Sequence, residues 1–243
     1  MVRKMAMTGG RRGGLLLALA AAVAGVGLLV FAVASQQPAP PAPPSSAAAG
    51  TVDPAPSPGS SSPEEPKASN NQDPAQDTVE AAQETPLGPS EPESISIPAI
   101  DVRSEVFSIG KAADGSLAVP QPGPNLDKAA WFENSPTPGQ PGPSVIEGHV
   151  ATEESGPSVF FNLGNLRPGD EITVKREDGK TAVFTVDALR NFDKSRFPTE
   201  LVYGGNLSTP TLRLITCSNF DSSIGQHTGN LVVFSQLTDV RDG

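Results

Sequence analysis

Residues from about 95 to the end of the chain are predicted to form an all-β domain, and two features support this. Short apolar segments recur between turns rich in glycine and proline, and helical periodicity is scarce. The clearest pair is 171–176 and 181–186, which alternate polar and apolar residues on either side of an Asp-Gly turn. Many short strands with regular turns favour a β-barrel or a β-sandwich over an α/β fold.

The remaining elements follow in order along the domain. The first strand contains Ile95 and Ile97 and is interrupted by Pro98, which is typical of an edge or bent strand. One short helical turn is predicted within 156–165. Further short strands are predicted over 116–119, 144–148, 212–216 and 231–234.

Residues 35–94 have the composition of a linker. They are rich in proline, alanine, serine and acidic residues and contain no aromatic residue. Such a segment cannot bury enough apolar surface to offset the entropy of ordering it. We therefore expect a disordered linker before a domain that spans 95–243.

Residues 1–34 resemble a signal-anchor. Four basic residues and no acidic ones come before or at the start of an apolar run over 13–34. About 20 apolar residues span a bilayer, and the basic flank predicts a cytoplasmic N-terminus with the domain outside the cell. A cleaved signal peptide is the alternative, because Ala32–Ala34 fits a cleavage site, but the apolar run is longer than such peptides usually have.

The charge distribution excludes one class of partner. The net charge is −10, and the region 95–243 carries eighteen acidic against twelve basic residues. Binding to nucleic-acid phosphates needs clustered lysine and arginine, so no nucleic-acid partner is expected.

Cys217 is the single cysteine of a chain predicted to be exported, so it cannot form an intramolecular disulfide. A small buried apolar residue is one explanation for it, and a catalytic thiol is the other. Cys217 follows the apolar strand 212–216, and His149 follows the strand 144–148. An imidazole within reach would favour the thiolate, which is the nucleophilic form.

Several segments resemble one family of enzymes. Leu214–Cys217 is similar to the Leu-x-Thr-Cys signature of the sortases, in which the strand ends on the nucleophile. Other segments resemble actinobacterial sortases of the class E/F type, in family order across nearly all of 95–237. These segments are 97–100, 115–120, 145–150, 159–160, 166–170 and 197–200.

The resemblance implies a sortase-like eight-stranded β-barrel and a cell-surface cysteine transpeptidase without a metal or cofactor. Such an enzyme cleaves a C-terminal sorting signal, similar to LPxTG or LAxTG, between threonine and glycine through a thioacyl intermediate. It then passes the acyl group to an amine, such as a cell-wall precursor or a pilin lysine. The implied roles are nucleophile for Cys217, proton donor and acceptor for His149, and part of the substrate groove for Thr216.

The chain departs from the family at the catalytic arginine, since no arginine lies between Cys217 and Arg241. Thr228 or Asn230 occupies the expected position and is the candidate neutral donor to the oxyanion. Alternatively, an arginine from the preceding segment, Arg190 or Arg196, reaches the site.

Two other residues are weighed against these roles. Arg213 lies about 13 Å back along the strand from Cys217, which favours a structural role. His227 is a rival catalytic partner close in sequence to the cysteine, although the resemblance favours His149. Because the arginine is missing, a sortase that binds sorting signals with little turnover is an alternative function, and a cysteine hydrolase is another.

Overall fold

The computed structural model describes residues 39–44 and 85–243. The predicted anchor at 1–34 and most of the predicted linker lie outside these residues. Within them, no helix combines the length and the apolar character needed to cross a membrane.

The domain is a closed barrel of eight strands, which confirms the predicted all-β class and the barrel implied by the resemblance. Around the barrel the strand order is β1-β2-β3-β4-β9-β10-β8-β7. A separate two-stranded sheet pairs β5 with β6. The strands are β1 (Pro92–Ile97), β2 (Val102–Ile109), β3 (Ala129–Phe132), β4 (Gly142–Glu147), β5 (Ala151–Thr152), β6 (Gly156–Pro157), β7 (Glu171–Arg176), β8 (Lys180–Asp193), β9 (Pro210–Asp221) and β10 (Gln226–Asp242).

Helical structure is short in the described residues. Three 3₁₀ turns cover Pro98–Ile100, Leu163–Asn165 and Lys194–Arg196, and one α-helix, α1, covers Thr199–Tyr203. The turn at Leu163–Asn165 lies within the segment where one helical turn was predicted.

Two apolar clusters hold the barrel. One fills the interior and includes Leu212 and Leu214 of β9. The other lies on the outer surface between α1 and the sheet and includes Val202 and Ile215. Because successive side chains of a strand point to opposite faces, β9 contributes to both clusters alternately.

The predicted strand at 116–119 is wrong. Only one isolated bridge forms there, between Lys111 and Leu117, and the surrounding residues are loop. Conversely, β3 was not predicted, because all four of its residues are buried and it shows no polar alternation.

The two ends of the folded region meet at the turn that joins β7 and β8. The amide of Glu177 donates to the carbonyl of Glu91 at 3.0 Å, and the amide of Gly243 donates to the carbonyl of Gly179 at 2.7 Å. Arg176 is fully buried beside this turn and donates to the carbonyl of Gly88 at 2.7 Å. The segment just upstream of β1 is therefore fixed to the barrel.

Candidate active site

Cys217 lies on the outer face of β9. It follows Ile215 by two residues, so the two side chains share a face, and its partner across the sheet is Asn230 of β10. Thr216, between them, is only 4% exposed. The cysteine is half-buried, which leaves its thiol accessible.

His149 reaches the same edge of the barrel through a parallel strand pair. Glu147 at the end of β4 is in register with Ile215 of β9. Because β4 and β9 run parallel, the residues two positions beyond this pair, His149 and Cys217, come to one place although β9 continues to Asp221. The structure thus brings the two predicted residues to the wall of one cavity.

The cavity has a volume of about 350 Å³. The loop between β2 and β3 covers one side, and the end of β4 with residues 215–217 in the middle of β9 forms the floor. The residues that line it are Ser116, Leu117, Val119, Pro120, Glu147, Gly148, His149, Lys194, Phe197, Tyr203, Ile215, Thr216, Cys217 and Asn230.

Hydrogen bonds of Gly148 hold the segment that carries His149 against the strand that carries Cys217. Its amide donates to the carbonyl of Ile215 at 3.2 Å, and its carbonyl accepts the hydroxyl of Thr216 at 2.8 Å. A Cβ at Gly148 would lie 2.5 Å from Cγ1 of Val159 and 2.9 Å from Cδ2 of Phe160. Glycine is therefore needed because protein side chains, and not a ligand, occupy the space beside it.

The imidazole of His149 is oriented by the covering loop. Its Nε2 lies 2.8 Å from the carbonyl oxygen of Pro120. A carbonyl only accepts, so Nε2 carries the proton in this arrangement.

Lys194 is the charged group next to the thiol. It belongs to the 3₁₀ turn that follows β8, and its Nζ lies 3.6 Å from the Sγ of Cys217. An ammonium at this distance attracts negative charge that develops at or next to the sulfur during a reaction.

The two predicted neutral donors occupy different positions. Asn230 lines the cavity and faces Cys217 across the sheet. Thr228 is exposed, and its hydroxyl donates to the carbonyl of Asn219 at 3.0 Å. Thr228 is not among the described residues that line the cavity.

Among the described residues, the lining of the cavity includes no arginine. Arg190 is half-buried on β8, opposite Val232 of β10. Arg196 is exposed and pairs with Asp193 at 2.8 Å.

Arg213 packs on the outer face of the sheet, with its Cζ 4.7 Å from the centre of the Phe234 ring. Burial lowers the pKa of Arg213 to about 10, opposed by the charge of Asp187. The rival His227 packs edge-on against Phe220 with ring centres 5.2 Å apart, and burial is the main cause that lowers its pKa.

Glu147 is an unusual member of the cavity wall. Its side chain is buried, with Oε1 lacking a hydrogen-bond partner among the described residues. Burial raises its pKa to about 8. Tyr203 lines the same cavity, and burial together with the charge of Glu147 raises its pKa to about 12.

Sequence reasoning missed Lys194 and Glu147. It sought an arginine in the segment before the cysteine strand and named Arg190 and Arg196, while Lys194 lies between them. Glu147 was visible only as part of the segment before His149, and no local pattern reveals that a single carboxylate is buried.

A family model for the sortase domain matches residues 95–238. The chain belongs to the sortase family. Sortases are generally cysteine transpeptidases, and this sortase has one cysteine, which lines the cavity. The class E/F subtype stays a prediction.

Several solved structures are similar to this sortase at low sequence identity. Sortase A from Corynebacterium diphtheriae is 23% identical, with 62% of this chain and 61% of that chain covered and a TM-score of 0.47. Sortase A from Listeria monocytogenes is 22% identical, with 62% and 88% covered and a TM-score of 0.46. Sortase C-1 from Actinomyces oris is 20% identical, with 60% and 73% covered and a TM-score of 0.47. A search of curated protein sequences found no match.

Proposed function

We propose that this sortase cleaves a C-terminal sorting signal similar to LPxTG or LAxTG and transfers the new carboxyl end to an amine. The observation that carries the proposal is that Cys217, on β9, and His149, just beyond the end of the parallel strand β4, line one cavity. The predicted membrane anchor would place this reaction at the cell surface, with exported proteins as donors and a cell-wall precursor or a pilin lysine as acceptor.

In the first half-reaction the Cys217 thiolate attacks the carbonyl carbon of the signal's threonine. The tetrahedral intermediate collapses, the Thr–Gly bond breaks, and the leaving amine takes a proton from His149. The product is a thioacyl enzyme. In the second half-reaction an amine attacks the thioester, gives a proton to His149, and releases the thiolate.

Lys194 is the group that we propose in place of the family's arginine. Its ammonium lies beside Sγ, so it is close to the carbon that the thiolate attacks and to the oxyanion that forms there. A charged donor stabilises an oxyanion more strongly than a neutral one. Asn230, directly across the sheet from Cys217, is the candidate neutral donor.

The Nε2 of His149 can exchange a proton with a substrate only after the ring leaves the Pro120 carbonyl, because that carbonyl accepts the hydrogen bond from Nε2. The covering loop and the substrate thus compete for the same proton. Substrate entry would displace the loop from the imidazole.

The full chain, incubated with quenched peptides carrying these signals, tests the proposal. Cleavage between threonine and glycine, a thioacyl adduct on Cys217 by mass spectrometry, and a ligated product with triglycine are expected. Cys217→Ala should abolish cleavage and adduct. Peptide binding without any adduct in the parent protein would identify a binding module instead, and products unchanged by triglycine would identify a hydrolase.

A further inference from the structure

The proposed reaction leaves one group of the cavity unused. Glu147 ends β4, is 6% exposed, and its Oε1 has no partner among the described residues. Leaving a buried polar atom unpaired is costly, and native proteins pair nearly all of them. A carboxyl retained there without a partner indicates that a ligand supplies the missing contact.

The surroundings of Glu147 indicate the chemistry of that ligand. Glu147 is in register with Ile215, which precedes Cys217 by two residues, or about 7 Å along the strand. The aromatic side chains of Phe197 and Tyr203 line the same cavity. A carboxylate beside aromatic rings is a combination that holds an ammonium group through ion pairing and cation–π attraction.

The cation already in the cavity does not fill this position. The Nζ of Lys194 lies against the Sγ of Cys217, and the ion pairs of the described residues do not include Glu147. An incoming cation can therefore pair with Glu147 without competition from Lys194. Glu147 lies on the strand next to the one that carries Cys217.

We propose that Glu147, with Phe197 and Tyr203, forms a subsite for a primary ammonium group carried by one of the two substrates. This proposal rests on the proposed transpeptidation. The ammonium belongs either to a lysine in the donor peptide upstream of the scissile bond or to a second amino group on the acceptor.

Occupation of the subsite changes the ionisation of Glu147. In the empty cavity burial raises its pKa to about 8, so it is mostly protonated at pH 7. An ammonium favours the carboxylate, so binding at pH 7 releases a proton, and affinity should rise with pH up to about 8 and then level off. The other titratable groups on this cavity are His149, Lys194, Tyr203 and Cys217, and Glu147→Gln removes only the contribution of Glu147.

The donor arm of the test uses peptides with one lysine at successive positions upstream of the threonine, each matched to a norleucine peptide. The acceptor arm compares 1,5-diaminopentane with pentylamine in acyl transfer. In one of the two arms, the compound with the extra ammonium group should have a kcat/KM about tenfold or more above that of its matched neutral compound. Whichever arm shows this preference identifies the substrate that carries the ammonium. Glu147→Gln should abolish the preference, whereas Glu153→Gln, on an exposed loop residue, should retain it.

A binding measurement separates failure of the subsite from failure of the reaction. Full-chain Cys217→Ala is titrated calorimetrically with the lysine peptides and with 1,5-diaminopentane, in two buffers of different ionisation enthalpy at pH 7. Tighter binding than the matched neutral compounds, with proton release, supports the subsite even if no thioacyl enzyme forms. Equal affinity of charged and neutral compounds, or a preference that survives Glu147→Gln, overturns it.

Discussion

Replacing Lys194 by methionine removes the charge beside Cys217, the proposed nucleophile, while keeping a side chain of similar length. At the observed Nζ–Sγ distance of 3.6 Å, attraction between unit charges is worth about 1 kcal/mol when water screens it fully. The full screening applies because Lys194 is an exposed residue. This energy corresponds to a factor of about five in the rate of a step that develops negative charge at the sulfur.

The rate of peptide cleavage should fall more than the reactivity of the Cys217 sulfur toward a small reagent. If Lys194 also stabilises the oxyanion, its removal costs a further factor, and loss of one oxyanion donor reduces rates by about 10² or more. Because solvent screens the charge of Lys194, we expect kcat/KM for peptide cleavage to fall by about 10- to 100-fold. Lys194→Arg keeps the charge and should recover most of the activity.

Two assays on the same preparations separate these effects. Alkylation of Cys217 by iodoacetamide at pH 7 reports the reactivity of the sulfur alone, and cleavage of a quenched sorting-signal peptide reports the sulfur and the oxyanion together. Arg196→Met is the matched control, because Arg196 is 82% exposed and pairs with Asp193 in the same turn. Alkylation and cleavage rates for Lys194→Met within about twofold of this control would refute the assignment.

Three further predictions concern the cavity wall. Gly148→Ala should destabilise the fold by about 1–3 kcal/mol in chemical denaturation, because its Cβ would meet Val159 at 2.5 Å; an unchanged midpoint would contradict this. Glu147 has a folded pKa of about 8 against an ordinary value of 4.5, so its stabilising contribution is complete below pH 4.5 and is lost as pH rises to about 8, by at most about 5 kcal/mol. Denaturation at pH 5, 7 and 9 should show this loss in the parent but not in Glu147→Gln, and parallel curves would rule it out. Asn230→Ala should lower kcat for cleavage by about tenfold with little change in Cys217 alkylation, and equal losses in both assays would exclude an oxyanion role.

Local patterns predicted the parts of the fold whose partners are close in sequence. The hairpin of β7 and β8 was predicted because alternation and an Asp-Gly turn act over a few residues, and the pairing of Thr173 with Val183 confirms it. The strand β3 escaped notice because full burial removes alternation. The segment 116–119 has the composition of a strand, but only one of its residues finds a bridging partner.

The same distinction between local and long-range information applies to the residues of the candidate site. Predicted strand ends and the family resemblance made Cys217 and His149 the predicted pair, but their meeting depends on the parallel pairing of β4 with β9, which joins residues far apart in sequence. The position of Lys194 depends on where β8 ends in space. The burial of Glu147 depends on α1 and the loop above the cavity, and no short segment contains that information.

The segment upstream of β1 and the residues that follow β10 both contact the β7–β8 turn, and this placement bears on access to the cavity. From that turn β8 runs 14 residues to Asp193, beside Gly229 and the residues that flank the thiol. This is a path of about 40 Å along the strand. The contact between Glu91 and this turn therefore lies at the end of β8 far from the cavity, so the segment upstream of β1 leaves the surroundings of the thiol uncovered along this strand.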